Sequence, residues 1–285
     1  MQIISQLTNV VSREPTVLTI GFFDGVHRGH QQVIHRVTEC ALQQGSQAVL
    51  VTFWPHPQRV LHPEKPKLLL TTLQEKLDLL ASLGGLDMVV VMPFTAELAR
   101  LTPREYLELL CTHFQLRTLI VGADFALGHN RAGNITWLQD AGEGLGFAVE
   151  TFTISAGDSR ISSTRIRELV AAGLLEEAPD LLGRSYTVVG TVIQGDRHSR
   201  ELGFPTANVL LDPVKLLPAK GVYAVRVRLP DDERASISGA AYVGRRPKFG
   251  EGNSVPVEVH LPDIQVDLYG KKLEIEFMAC LRNEP

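Results

Sequence analysis

The sequence predicts an α/β protein in two parts, a parallel sheet covered by helices followed by an antiparallel barrel or sandwich. Three observations carry this expectation. The chain has 285 residues, more than one compact core usually takes, so two domains are expected. Residues 15 to about 150 alternate short apolar runs with helical patterns, and near-continuous apolar strands separated by helices belong to parallel sheets buried on both faces. From Tyr186 onward, strand-like runs follow one another with Gly, Pro and Asp between them, as in antiparallel folds. The change of pattern falls near 182–185, giving 1–184 and 185–285 as the expected domains.

In the first part the β-branched runs predict strands at 16–20, 48–53, 88–92 and 118–121. Two helices announce their starts. Thr72 with Glu75, and Thr102 with Glu105, fit capping boxes, the second with Pro103 where a missing N–H costs nothing. After the first box, Leu73, Leu77, Leu80 and Leu83 form one apolar stripe. A further helix is expected over 163–172, with Ile166, Leu169 and Val170 facing inward and Gly173 stopping it. In the second part, strands are expected at 186–193, 222–229, 237–243, 255–261 and 273–281.

Composition narrows the function. A hydrophobic fraction of 44% and a charged fraction of 21% are those of a globular protein. A net charge of −4 without a Lys/Arg block argues against nucleic acid as a partner, so any bound phosphate must be held locally. Cys40, Cys111 and Cys280 are far apart and odd in number, and are read as buried thiols rather than a disulfide or zinc set. No apolar run approaches the roughly 20 residues that span a bilayer. Residues 1–13 lack a signal-peptide core, so a cytoplasmic protein without a membrane partner is expected.

The first expected strand runs into Gly21-Phe-Phe-Asp-Gly-Val-His-Arg-Gly-His30, after which Val33, Ile34, Val37 and Ala41 take up helical spacing. His27 and His30 thus sit where a parallel strand hands over to a helix N-terminus. Free backbone N–H groups and the helix dipole favour anions there, on the side of an open α/β sheet where ligands bind. Both imidazoles can donate to phosphate oxygens as charge moves, and Gly29 allows close backbone approach. Taken alone, the spacing also fits a metal pair or two surface histidines. Downstream, Ile161-Ser-Ser-Thr-Arg-Ile-Arg167 opens a helix with three hydroxyls and two guanidiniums, suited to a di- or triphosphate. An ordinary serine N-cap with solvated arginines fits it equally.

Together these segments resemble the HxGH and ISSTxxR signatures of the nucleotidylyltransferase superfamily, and GFFDGVHRGH resembles its FAD-synthetase branch. Phe53-Trp-Pro-His-Pro57 is similar to that branch's flavin-side PHP motif. Val121-Gly-Ala-Asp-Phe-Ala-Leu-Gly128, with Arg131 and Gly133, is similar to its VGxDFxFG…RxG segment. Without the likeness, Phe53 and Trp54 read as core and the two prolines as a strand exit. Farther on, Leu202-Gly-Phe-Pro-Thr-Ala-Asn208 resembles the riboflavin kinase GFPTAN motif, followed by Gly221-Val-Tyr-Ala224, Val257-Glu-Val-His260 and Asp267-Leu-Tyr-Gly270. By itself, Pro-Thr-Ala-Asn is a plausible turn and Glu258 a solvent-facing carboxylate. The chain as a whole resembles the prokaryotic bifunctional riboflavin kinase/FMN adenylyltransferase family.

The resemblance implies a Rossmann-like nucleotidylyltransferase domain with a parallel sheet and a C-terminal antiparallel β-barrel kinase domain. It implies that riboflavin is phosphorylated to FMN and FMN adenylylated to FAD, with two ATP consumed and Mg²⁺ as the metal cofactor. For adenylyl transfer, His27, His30 and Arg165 are the implied catalytic residues. Gly21, Phe22, Phe23, Asp24, Gly25 and Gly29 would contact ATP, as would Ser162, Ser163, Thr164 and Arg167. Pro55, His56, Pro57 and Asp124 would contact the flavin. For the kinase, Gly203, Phe204, Pro205, Thr206 and Asn208 would hold ATP, Thr206 and Asn208 would ligate Mg²⁺, and Glu258 would be the base.

The kinase half departs from the pattern at Ser199, Tyr242 and Lys248, where a glycine, an Asn and a Thr are usual. Serine does not adopt positive φ cheaply and Tyr242 cannot mimic an amide, so weaker substrate binding is expected there. The chain also ends at Pro285, with little room for the final helix many relatives carry. An adenylyltransferase with a weak kinase, and a non-catalytic flavin-binding module, are the alternatives; His27, His30, Arg165, Thr206, Asn208 and Glu258 argue against the second.

Overall fold

The structure, a computed structural model, describes residues 1–10, 14–153, 161–194, 206–229, 232–244, 257–262 and 268–284. They form two compact units, Met1–Lys67 with Lys76–Ile161, and Leu68–Glu75 with Ser162–Pro285.

The chain up to Phe152 runs β1 (Gln2–Ile4), β2 (Pro15–Ile20), α1 (Arg28–Gln44), β3 (Gln47–Trp54), α2 (Pro57–Leu61), α3 (Leu73–Leu83), β4 (Met88–Pro93), α4 (Ala96–Arg100), α5 (Pro103–His113), β5 (Gln115–Gly122), α6 (Ile135–Leu145) and β6 (Ala148–Phe152). The six strands pair in parallel in the order β1-β4-β3-β2-β5-β6. Connections from β2 go to β3 and β4 on one side and to β5 and β6 on the other. The carboxyl end of β2 is therefore the topological switch point, where such sheets bind ligands.

Both faces of the central strands are buried, which is why their sequences are apolar without alternation. Leu18, Ile20, Val49, Val51 and Val90 join the cluster on one face. Helix α1 covers β2, β3 and β5, burying Val33, Ile34, Val37, Cys40 and Ala41. The four expected strands are present, each extended at one or both ends. The edge strands β1 and β6 carried no sequence signal, because two of three residues of β1 are exposed and none of β6 is fully buried.

Both capping boxes form. Thr72 N–H donates to Glu75 Oε2 at 2.8 Å and Glu75 N–H to Thr72 Oγ1 at 3.2 Å, and the same reciprocal pair joins Thr102 and Glu105. The leucine stripe of α3 is shorter than expected. Leu77 and Leu80 are buried, but Leu83, the last residue of the helix, is 41% exposed. The thiols also need correction, since Cys40 is buried whereas Cys111 and Cys280 are only partly so.

In the second unit α7 (Ser163–Ala172) matches the expected helix and ends on Gly173 at φ +77°. After α8 (Ala178–Leu182) come β7 (Tyr186–Ile193), β8 (Thr206–Leu211), β9 (Gly221–Leu229), β10 (Asp232–Val243), β11 (Val257–His260) and β12 (Lys272–Asn283). They close into an antiparallel barrel in the order β10-β11-β8-β7-β12-β9, which decides between barrel and sandwich. Residues 206–208, which also read as a turn, are strand.

Ile166, Val170, Leu175, Ala178 and Leu182 share one hydrophobic cluster with barrel residues such as Val188, Val209, Val225 and Phe277. That packing is why this unit begins at Ser162, ahead of the change in pattern near residue 184. The segment Leu68–Glu75 belongs to the same unit. Leu69 bridges Lys215, Leu70 joins the cluster, and Lys215 Nζ donates to Leu70 O and Glu75 Oε2, both at 2.7 Å.

Candidate active sites

At the carboxyl end of β2, residues 21–27 make a tight turn into α1. Phe23 and Val26 hold φ at +50° and +40°, and both are buried. Positive φ is costly for a β-branched residue, and such strain persists only where surroundings enforce it, as at binding sites. His27 caps α1, its Nδ1 accepting the His30 N–H at 3.3 Å. A neutral His27 in this arrangement carries its proton on Nε2. The two imidazoles stack at 3.6 Å between centroids and 15° between planes, and Phe23 meets His30 edge-on at 5.1 Å. Asp24, Gly25 and Gly29 are buried and Phe22 is 43% exposed.

The end of β3 lies beside this turn. Gly21 N–H donates to Val51 O at 3.0 Å and Thr52 Oγ1 to Phe22 O at 3.2 Å. Phe22 is 5.4 Å from Phe53 and 5.2 Å from His56. Pro55 follows a cis peptide, and His56 caps α2 by accepting from Gln58 N–H, with Pro57 at the helix start. Asp124 lies two residues past β5, and Arg131 Nη2 donates to its carbonyl at 2.7 Å. Thus the 21–30, 53–57 and 122–124 segments all stand at the carboxyl ends of adjacent or neighbouring parallel strands.

Lys76 was not singled out from sequence. It is 3% exposed, and its Nζ donates to Thr52 Oγ1 at 2.8 Å, Phe22 O at 3.2 Å and Phe53 O at 3.4 Å. Burial pushes its ammonium down to about 8, against the opposing field of Asp24.

In the second unit Ser162 is the N-cap of α7, its Oγ accepting from Arg165 N–H at 3.2 Å. That hydroxyl still has a proton to donate. Thr164 and Arg165 are exposed, Ser163 and Arg167 half-buried.

On the barrel, Asn208 and Tyr242 are the register partners of Glu258 on its two sides, and Thr206 is the partner of His260. Val257 and Val259 point inward, so Glu258 and His260 stand on the outer face. Directly opposite residues share a face, which gathers Tyr242, Glu258 and Asn208 into one row. Tyr242 Oη donates to Glu284 Oε2 at 2.9 Å, and that bond, with burial and the fields of Glu284 and Glu258, raises the phenol's pKa. Gly203, Phe204, Pro205, Ser199 and Lys248 lie outside the described residues. Among the described residues no group of three or more His, Cys, Asp or Glu could hold a metal ion. The hard oxygens of Thr206 and Asn208 fit a Mg²⁺ that arrives on phosphates and keeps its waters.

Comparison with known proteins finds a different family on each of two successive parts of the chain. The FAD synthetase family matches residues 10–165 and the riboflavin kinase family residues 182–285. The bifunctional riboflavin kinase/FMN adenylyltransferase of Listeria monocytogenes is 36% identical over 94% of this chain and 84% of its own. That of Escherichia coli is 39% identical over 95% of this chain and 86% of its own. A crystal structure described as a macrolide-efflux protein from Streptococcus pneumoniae superposes with a TM-score of 0.87 at 26% identity, over 99% of this chain and 91% of that one. Among the described residues no helix is long and apolar enough to cross a membrane. The chain belongs to the bifunctional riboflavin kinase/FMN adenylyltransferase family.

Proposed function

We propose that this enzyme makes FAD from riboflavin in two ATP-dependent steps, with 1–184 and 185–285 as the adenylyltransferase and kinase domains. The observation that carries the proposal is the pair of family matches on successive parts of one chain. In the kinase step the riboflavin 5′-hydroxyl attacks the γ-phosphorus of ATP and ADP leaves. Glu258 takes the hydroxyl proton, while Thr206 and Asn208, with Gly203, Phe204 and Pro205, hold the nucleotide and its Mg²⁺. The alignment of Glu258 with Asn208 on one face supports this.

In the second step an FMN phosphate oxygen attacks the α-phosphorus of a second ATP and pyrophosphate leaves. Positioning and charge stabilisation carry such transfers, without a protein nucleophile. The N-terminal amides of α1 and the Nε2 atoms of His27 and His30 suit the charge that develops on the phosphate oxygens. Gly21, Phe22, Phe23, Asp24, Gly25 and Gly29 bind ATP. Ser162, Ser163, Thr164, Arg165 and Arg167 bind the polyphosphate, Arg165 aiding departure of pyrophosphate. Pro55, His56, Pro57 and Asp124 hold the flavin. A net charge of −4 supports small-molecule partners rather than nucleic acid.

Incubation with riboflavin and Mg-ATP, resolving riboflavin, FMN and FAD over time, tests both steps. FMN should appear and then FAD. The presence of Tyr242 beside Glu258 favours one second reading, an adenylyltransferase with a weak kinase; that reading gains if FAD forms only from supplied FMN.

A further inference from the structure

Lysine is almost never fully buried without a charged partner. Lys76 is buried, and the oxygens that receive its three hydrogen bonds are neutral, two carbonyls and one hydroxyl. Asp24, on the turn after β2, is the carboxylate whose field acts on it. An apolar side chain of similar length would avoid the desolvation of a buried ammonium, so fold stability by itself does not explain a lysine here.

The placement of the acceptors does. Phe22 O lies on the turn that carries the histidine pair, whereas Thr52 and Phe53 O lie at the end of β3, immediately before the Pro55-His56-Pro57 run. We infer that Lys76 is a positioning residue for adenylyl transfer, one ammonium clamping the turn proposed to bind ATP to the strand exit proposed to bind FMN. The inference rests on the proposed adenylyl transfer.

Three tetrahedral N–H bonds fix the separation of these two backbones in a way a single hydroxyl cannot. Thr52 Oγ1 also bonds Phe22 O, so threonine and lysine form one small closed network. The Phe22 ring sits 5.4 Å from that of Phe53 and 5.2 Å from that of His56 across the same backbones, so any slip between them moves groups proposed for both substrates. In-line transfer depends on such alignment, and a misplacement of about 1 Å lowers rate about 100-fold.

The test is Lys76→Met in the full chain. FAD formation from FMN and ATP should lose about 10- to 100-fold in kcat/KM, with KM raised for both substrates. Riboflavin phosphorylation by the same preparation should keep the parental rate, and the thermal midpoint should not fall, because a buried charge has been replaced by an apolar side chain. Parental FAD formation would overturn the inference, and so would a folded variant that loses both activities in step with its melting temperature. Should Lys76→Met not fold, Thr52→Val decides, since it deletes the shortest bond and keeps the lysine. Slowed FAD formation with parental melting supports the clamp, and parental FAD formation overturns it. If the parent converts riboflavin to FMN but no FMN to FAD, the adenylyl reading itself fails and takes the clamp with it.

Discussion

At the residue scale, the turn after β2 concentrates unusual chemistry in a few side chains. Val26 and Phe23 hold positive φ, and His27 and His30 stack at 3.6 Å. His27 already uses Nδ1 to cap α1, so His30→Ala should remove the proposed transition-state donor while the cap stays, lowering FMN adenylylation by about 10²–10³. Riboflavin phosphorylation should be untouched, and parallel assays of the two steps check this. Lys76 adds a pH dependence. Its native pKa of about 8 lies below the ordinary 10.5, so between these values the unfolded chain binds more protons than the native one. The contribution of Lys76 to native stability therefore rises with pH across that window, by an amount on the order of 3 kcal/mol. Melting followed from about pH 7 to pH 10 should show the advantage of Lys76→Met over the parent shrinking as pH rises. A constant difference would mean the ammonium is not suppressed.

At the element scale, strand register decides which side chains can act together. The period of a strand is two residues, so a slip of one between β11 and β8 would turn Glu258 away from Asn208. Glu258→Gln keeps size and register but removes the proposed base. FMN formation should fall by about 10²–10⁴ and FAD formation from supplied FMN should persist, as chromatography of the flavins would reveal. Gly190, on β7, has β8 packed directly over its Cα. A Cβ there would lie 2.5 Å from Leu210 O and 2.6 Å from the side chains of Leu211 and Val209. Gly190→Ala should destabilise the barrel by about 1–3 kcal/mol. Because β8 carries Thr206 and Asn208, riboflavin phosphorylation should suffer more than adenylyl transfer; equal loss, or none, would contradict this.

At the scale of the whole molecule, each unit has its own hydrophobic cluster, and the barrel's cluster recruits chain from far upstream. Glu75 is buried with Lys215, its Oε1 also accepting from Val189 N–H at 3.1 Å. Lys215→Met should strip that carboxylate of its ion-pair partner, leaving it the field of the half-buried Arg184, and cost about 3–5 kcal/mol. The double change Glu75→Gln with Lys215→Met should recover much of this, and denaturant melts of the three proteins measure the difference. Much of this architecture was legible beforehand. Apolar runs marked the central strands, Thr72 and Thr102 marked helix starts, and Gly173 marked the end of α7, because periodicity and capping act over a few neighbouring residues. The edge strands were silent, since half-exposed residues leave no apolar run.

By itself the sequence determined the two fold types, the change between them, and the His27–His30 and 162–167 groups as candidates by residue type and close spacing, while Thr206, Asn208 and Glu258 stood out only through their resemblance to riboflavin kinase motifs. The tertiary structure decided that the barrel closes, that helices α7 and α8 pack with it, and that Tyr242 stands beside Glu258. It alone revealed Lys76 against Phe22, 54 residues away, and Lys215 against Glu75, 140 residues away. Such pairs obey no local period. A buried charge is chosen by the oxygens that folding brings to it, and those come from segments whose own sequences carry no trace of the partner.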